Sequence, residues 1–352
     1  MVEPEHIPAG VCDRDGKLGA LERDDGSVDI VDLQTGERLS HIVGLSHALL
    51  IDGGFLYGGW ADPGTPHTFV LKKIDLGAKA LPVVASHEIS LPAWVDAQAK
   101  DETRFRIRVA MEDGRFVIWW RGRDVYEGGA PPPAFLEQQI ASNQSAECLT
   151  FDAETLEEIS RFPEDGFAEE DRAKEAGARL TRTANANVYR RGGAYENAPW
   201  GDRSERRALF LAEGAGAPRL MIRRLKGDEP TPEADRDAVS LPAASGPDTV
   251  PELSLDGRHL AVASGQSARW HVYSVSKGTE LGSLERSSEP VSFRVLGERM
   301  LWLEESEPSM DAEGQTVRER AIHAVSLADG QRLWTYPLPP KKLPEGFGFL
   351  PP

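Results

Sequence analysis

Ten arginines crowd into residues 179–226 (Arg179, Arg182, Arg190, Arg191, Arg203, Arg206, Arg207, Arg219, Arg223 and Arg224), joined by Lys226 and opposed by four acids. A guanidinium carries a planar fork of N–H donors that grips a carboxylate through two parallel hydrogen bonds, which an ammonium cannot do. Tyr189, Tyr195 and Trp200 lie among them, and protein interfaces concentrate this mixture of arginine and aromatic side chains. The candidate partner-binding residues are therefore Arg179, Arg182, Tyr189, Arg190, Arg191, Tyr195, Trp200, Arg203, Arg206 and Arg207, and the partner they imply is a protein with an acidic surface. Just upstream, residues 152–175 hold ten acidic against three basic side chains. Pairing of the two segments inside one molecule is the alternative, and it needs no partner.

Other constellations point to no chemistry. Asp13, Asp15 and Glu22 fall at positions 3, 5 and 12 of a calcium-loop spacing, but position 1 would be Val11, which has no ligating oxygen. An Asp-Gly turn leading into a strand accounts for the same residues, and no metal is expected. The eight histidines show no His-Glu-x-x-His spacing, and Cys12 and Cys148 are neither a disulfide framework nor a metal set; two thiols are expected. Ser46 and Ser264 lack the Gly-x-Ser-x-Gly elbow that exposes a nucleophile. No glycine-rich phosphate cradle follows a strand. No cofactor is expected.

A formal charge of -17 repels nucleic-acid phosphates and anionic lipid beyond any local basic patch. No run approaches the roughly 18 apolar residues of a membrane span, and the acidic, proline-containing start has no apolar leader core. As written, the chain reads as cytoplasmic and monomeric. A trimmed leader would place it in the periplasm or outside the cell.

These side chains need a scaffold, and the scaffold repeats itself. Val31-Asp32-Leu33-Gln34-Thr35-Gly36-Glu37 returns as Val325-Ser326-Leu327-Ala328-Asp329-Gly330-Gln331. A strand, a polar turn and a second strand, recurring along a chain, describe a unit that stacks on its copies. Period-2 apolar runs bounded by Gly, Asp and Asn fill the intervals. Marking the residue before each outward turn gives positions 32, 75, 152, 224, 276 and 327. The intervals 75–152 and 152–224 exceed one plain unit of about 40–50 residues. They contain a Pro-rich segment and the stretch 164–178, whose composition suits a short surface helix.

The fold expected is all-β: a single β-propeller domain over 1–352, with six to seven four-stranded antiparallel blades. The third and fourth units carry insertions at about 127–146 and 163–207, and a Pro-rich tail covers 339–352. A β-sandwich pair is the alternative. His323-Ala-Val-Ser-Leu-Ala-Asp-Gly-Gln-Arg-Leu-Trp334 resembles the repeat of pyrroloquinoline-quinone-like propellers, and Ser254–Ala261 is similar to the inner hairpin of WD-like bacterial propellers. The quinone enzymes of that family use adjacent cysteines, which this chain lacks. The resemblance therefore implies the fold and no cofactor, since propellers host unrelated activities. The functional expectation is a non-catalytic scaffold for protein–protein interaction, working through the Arg/aromatic region. A propeller-type hydrolase or lyase with a site in the central channel, and a periplasmic assembly-factor-like scaffold, are the alternatives.

Overall fold

The computed structural model describes residues 2–65, 67–98, 105–123, 144–163, 180–183, 186–189, 206–212, 219–226, 229–230, 238–240, 250–255, 258–263, 269–274, 279–285 and 290–343. Among them there is no helix, and the strands form six antiparallel sheets. The chain divides into two compact units, Met1–Glu5 with Ala9–Phe167, and His6–Pro8 with Ala168–Pro352.

The first sheet runs β1 (Glu5–Ile7), β2 (Gly10–Cys12), β3 (Leu18–Glu22), β4 (Ser27–Asp32) and β5 (Arg38–Val43) in consecutive order. The second is β6 (His47–Asp52), β7 (Phe55–Ala61), β8 (Thr68–Asp75) and β9 (Val83–Ser90); the third is β10 (Phe105–Glu112), β11 (Arg115–Arg123), β12 (Gln144–Asp152) and β13 (Glu158–Pro163). Both are meanders in which each strand pairs with the next.

In the second unit, the fourth sheet orders β14 (Leu180–Thr183), β15 (Ala186–Tyr189), β16 (Arg206–Ala212), β17 (Arg219–Lys226) and β18 (Glu229–Pro230), with β19 (Ala238–Ser240) also on β17. The fifth is β20 (Val250–Leu253), β21 (His259–Ala263), β22 (Arg269–Ser274) and β23 (Glu280–Glu285). The sixth joins β24 (Pro290–Leu296), β25 (Arg299–Glu305), β27 (Thr316–Ser326) and β28 (Arg332–Lys342), with the short β26 (Ser309–Met310) also on β27. Four-stranded antiparallel meanders in series are the building unit of β-propellers.

Alternation sets the faces. In β8, Phe69 and Leu71 are fully buried, and they meet Phe116, Ile118, Trp120, Leu149 and Phe151 of the third sheet. Tyr57 stacks on Phe116 with ring centroids 4.7 Å apart. The first and second sheets share Val28, Ile30, Leu45, Leu56 and Ile74. In the second unit, Trp270, Val272 and Leu284 pack on Phe293, Met300, Trp302 and Val325. Burying each such side chain is worth about 1.5–3 kcal/mol.

Several boundaries differ from the sequence expectation. The turn residues 276 and 327 become Ser274 and Ser326, because those residues close the turn hydrogen bond. β14, β15 and the start of β16 lie inside the expected 163–207 insertion, and β12 opens at Gln144 inside the expected 127–146 insertion. β28 continues to Lys342, so the tail expected from 339 begins as strand. Its prolines fit an edge strand, whose outer side needs no N–H donor. The helix expected at 164–178 lies outside the described residues. β2 escaped the sequence reading because its three residues are too few to show a period. Cys12 and Cys148 are buried thiols with no disulfide.

Candidate interaction surface

Five sheets end on the same device. The residue closing the third long strand donates its N–H across the turn: Asp32 to the Glu37 carbonyl, Asp152 to Glu157, Ser274 to Thr279 and Ser326 to Gln331, each at 2.9 Å. Asp75 reaches Pro82 at 3.1 Å around a longer turn. Where a carboxylate stands at this position it caps the turn, as Asp32 Oδ1 accepts from the N–H of Gln34 and Thr35. Asp152 Oδ1 likewise accepts from Glu154 and Thr155, and those N–H groups hold its carboxyl below the ordinary value.

Just before the last strand the backbone enters the left-handed region, at Gly36 (φ 75°), Leu81 (φ 45°), Leu156 (φ 59°) and Gly330 (φ 72°). Glycine does this without steric cost. Leu156 accepts the strain because its side chain is 1% exposed, inside the core of the second and third sheets.

The turn feeds a β-bulge that recurs at one register position. Cross-strand pairing skips a residue between Ser40 and Arg38, Ala85 and Val83, Ser160 and Glu158, Gly282 and Glu280, and Trp334 and Arg332. The residues skipped are Leu39, Val84, Ile159, Leu281 and Leu333. Each is an aliphatic side chain left in solvent, at 51%, 50%, 53%, 37% and 51% exposure. A bulge bends an edge strand and spoils its use as a template for another strand. What each trailing edge offers is thus an apolar side chain rather than a hydrogen-bonding ladder. Val43, Val83 and Phe162 add further exposed apolar surface to β5, β9 and β13. One exposed Leu or Val means little, but the same exposure at one repeat position in five sheets defines a pattern.

The titratable side chains mostly pin neighbouring strands. Asp29 on β4 is fully buried and bonds Arg23 Nη1 at 2.8 Å and His41 Nδ1 at 2.7 Å. Lys73 on β8 is buried; its Nζ donates to the Ala153 carbonyl at 2.9 Å and lies 4.2 Å from the Phe55 ring centroid. Tyr57 donates to the same carbonyl, and burial pushes its hydroxyl up to about 12. His323 links three strands: Nδ1 meets Thr335 Oγ1 at 2.9 Å and Nε2 meets Glu304 Oε2 at 3.2 Å. Burial, helped by Arg332, holds its imidazole below the ordinary value against the pull of Glu304. This line of hydroxyl, imidazole and carboxylate can pass or hold a proton, and its evident work is cross-strand.

Asp13 and Asp15 are absorbed by their own turn. Asp13 Oδ1 accepts the N–H of Lys17 and Leu18, and Asp15 pairs with Lys17 Nζ at 3.0 Å. Among the described residues, no group of three His, Cys, Asp or Glu is arranged to hold a metal ion.

Of the ten arginine and aromatic candidates, Arg182 lies on β14, Tyr189 on β15, and Arg206 and Arg207 on β16. In the register Arg182 stands opposite Asn187, Tyr189 opposite Leu209, and Arg207 opposite Arg224. The fourth sheet thus gathers these four positions on adjacent strands. Arg179, Arg190, Arg191, Tyr195, Trp200 and Arg203 lie outside the described residues. Sequence reasoning missed the bulge aliphatics, although a signal existed: Leu39, Ile159, Leu281 and Leu333 each stand seven residues after their turn residue.

The sheets place the chain in the class of all-β proteins built from propeller-type meanders. No family model and no curated protein matches the sequence. Solved structures that the chain is similar to include Hsv2 from Kluyveromyces lactis, at 11% identity and TM-score 0.25, covering 89% of this chain and 72% of that one. A second is the Cps50 (Swd1) β-propeller domain from Myceliophteria thermophila, at 14% identity and TM-score 0.25, covering 96% and 87%. A third is BamB from Moraxella catarrhalis, at 14% identity and TM-score 0.27, covering 86% and 81%.

Proposed function

We propose that the protein is a non-catalytic β-propeller scaffold whose sheets are its blades and whose task is to hold another protein. The observation that carries this reading is the exposed aliphatic residue at the bulge of five trailing strands. An apolar side chain kept in water at a repeated position costs solubility, and a partner that covers it recovers about 25 cal/mol per Å². The arginine-rich stretch 179–226 supports the same reading. Opposite charge across an interface speeds encounter and selects partners, while apolar anchors supply affinity. The partner is then a protein with an acidic surface.

The test uses two variants. One replaces Arg190, Arg191, Arg206 and Arg207 with Glu; the other replaces Leu39, Ile159 and Leu333 with Lys. Each is compared with the parent chain for the proteins it retains from a native extract, with circular dichroism as the folding control. Partners held by the parent are expected to be lost from both variants. An unchanged set of captured proteins with both variants would overturn the proposal.

A further inference from the structure

The third sheet begins on β10, and this leading strand is unlike β6 and β24. Its register with β11 runs unbroken from Phe105 opposite Gly122 to Glu112 opposite Arg115, whereas register shifts interrupt β6 and β24. An unbroken edge strand is a template for another strand. Val2 already uses it. Val2 and Met111 exchange both backbone hydrogen bonds, at 2.6 and 2.7 Å, and Val2 packs against the core that contains Phe105, Val109 and Met111.

In an antiparallel ladder, alternate residues turn their N–H and C=O to the same side. Val109, Ile107 and Phe105 therefore direct backbone groups to the edge that Met111 presents to Val2. Continuing the pairing would set Pro4 opposite Val109, where the ladder needs an N–H that proline does not have. Val2–Pro4 consequently meets this edge through one residue pair, before the chain enters β1 of the first sheet, and among the described residues no other strand pairs with this edge. The charge on β10 is positive at alternate positions, Arg106 and Arg108. Glu3 lies near Arg108, which opposes the upward push of burial on its carboxyl.

We propose that the β10 edge accepts an extended acidic strand from a partner protein, and that Val2–Pro4 is a weakly held stand-in for it. In strand addition the backbone bonds give affinity and the alternate side chains give selectivity. A fitting strand is free of proline, places β-branched residues along the row begun by Val2, and sets glutamates between them, near Arg106 and Arg108. The inference goes beyond the trailing-edge reading and does not depend on it, because the two surfaces share no residue.

The probe is a fluorescent peptide of alternating Val and Glu, seven residues long, followed by anisotropy. Three forms of the full chain are compared: the parent, a form lacking Val2–Pro4, and Pro4→Val, which restores the missing donor. Removing the segment is expected to tighten binding at least tenfold over the parent, and Pro4→Val to weaken it. Val2→Pro, which removes the donor without shortening the chain, is expected to act like the deletion. In the shortened form, Arg106→Glu with Arg108→Glu is expected to lose the Val/Glu peptide and gain its Val/Lys counterpart. That exchange cannot come from misfolding. Equal binding by the parent, the shortened form and Val2→Pro would overturn the proposal, as would indifference of the peptide to the two arginines.

Discussion

The trailing strands of five sheets and the leading strand β10 of the third are all sheet edges, yet they are finished in opposite ways. β5, β9, β13, β23 and β28 each carry a bulge and an exposed aliphatic residue. β10 carries charge at Arg106 and Arg108 but no interruption of its register, and a residue of its own chain lies on it. The difference shows that an edge can be closed to strand pairing by geometry or by a residue of the same chain. The first leaves side chains to recognise a partner and the second leaves the backbone to do so.

The largest expected effect concerns what holds a trailing strand in place. A Cβ on Gly282 of β23 would lie 1.8 Å from the Leu327 carbonyl oxygen of the next sheet's turn. Both are backbone positions with little room to move. Gly282→Ala should therefore cost about 3 kcal/mol or more through overpacking, read as a lowered midpoint in thermal or urea unfolding. A change under about 0.5 kcal/mol would mean that the turn does not seat there.

At the turn of the third sheet, Leu156 sets backbone strain against burial. Replacing it with Gly relieves a left-handed backbone worth roughly 1–2 kcal/mol but removes a buried leucine worth about 2–5 kcal/mol. A net loss of about 1–3 kcal/mol in chemical denaturation is expected, and a gain in stability would show that strain outweighs burial.

His323 makes the trailing strand of the sixth sheet sensitive to pH. Its folded-state pKa lies below the ordinary 6.5, so on acidification the unfolded chain takes up the proton first. The stability it contributes is present above pH 6.5 and is lost as the pH falls through the folded value. The melting temperature should fall between pH 7 and pH 5 more steeply in the parent than in His323→Gln; equal slopes would remove His323 from the account.

The smallest expected effect is on the bulges themselves. Leu39→Lys, Ile159→Lys and Leu333→Lys should each change stability by less than about 0.5 kcal/mol, because the side chains are already in water. A larger loss on thermal melting would mean that these residues pack within the molecule and are not displayed.

Much of the fold was legible because strand periodicity and turn chemistry are local. The Asp-x-x-x-Gly turn at 32–36 and the alternation of β8 follow from which residues cap, bend or alternate. Among the described residues, β15, β16 and β17 fall on the strands assigned to the weakest unit. The candidate surface was less legible. The arginine stretch stands out by composition, whereas Leu39 and its counterparts look like ordinary strand residues until pairing shows that each is skipped.

The long strands, the turns, the repeat and the charge asymmetry follow from residues close together in the chain, whereas short strands such as β2 do not. Only the tertiary structure decided which aliphatic side chains face water and which carboxylates are enclosed. The same was true of the strand edge that receives Val2. Those outcomes depend on cross-strand register and on contacts between residues as distant as Val2 and Met111, where a shift of one position turns a side chain from core to solvent.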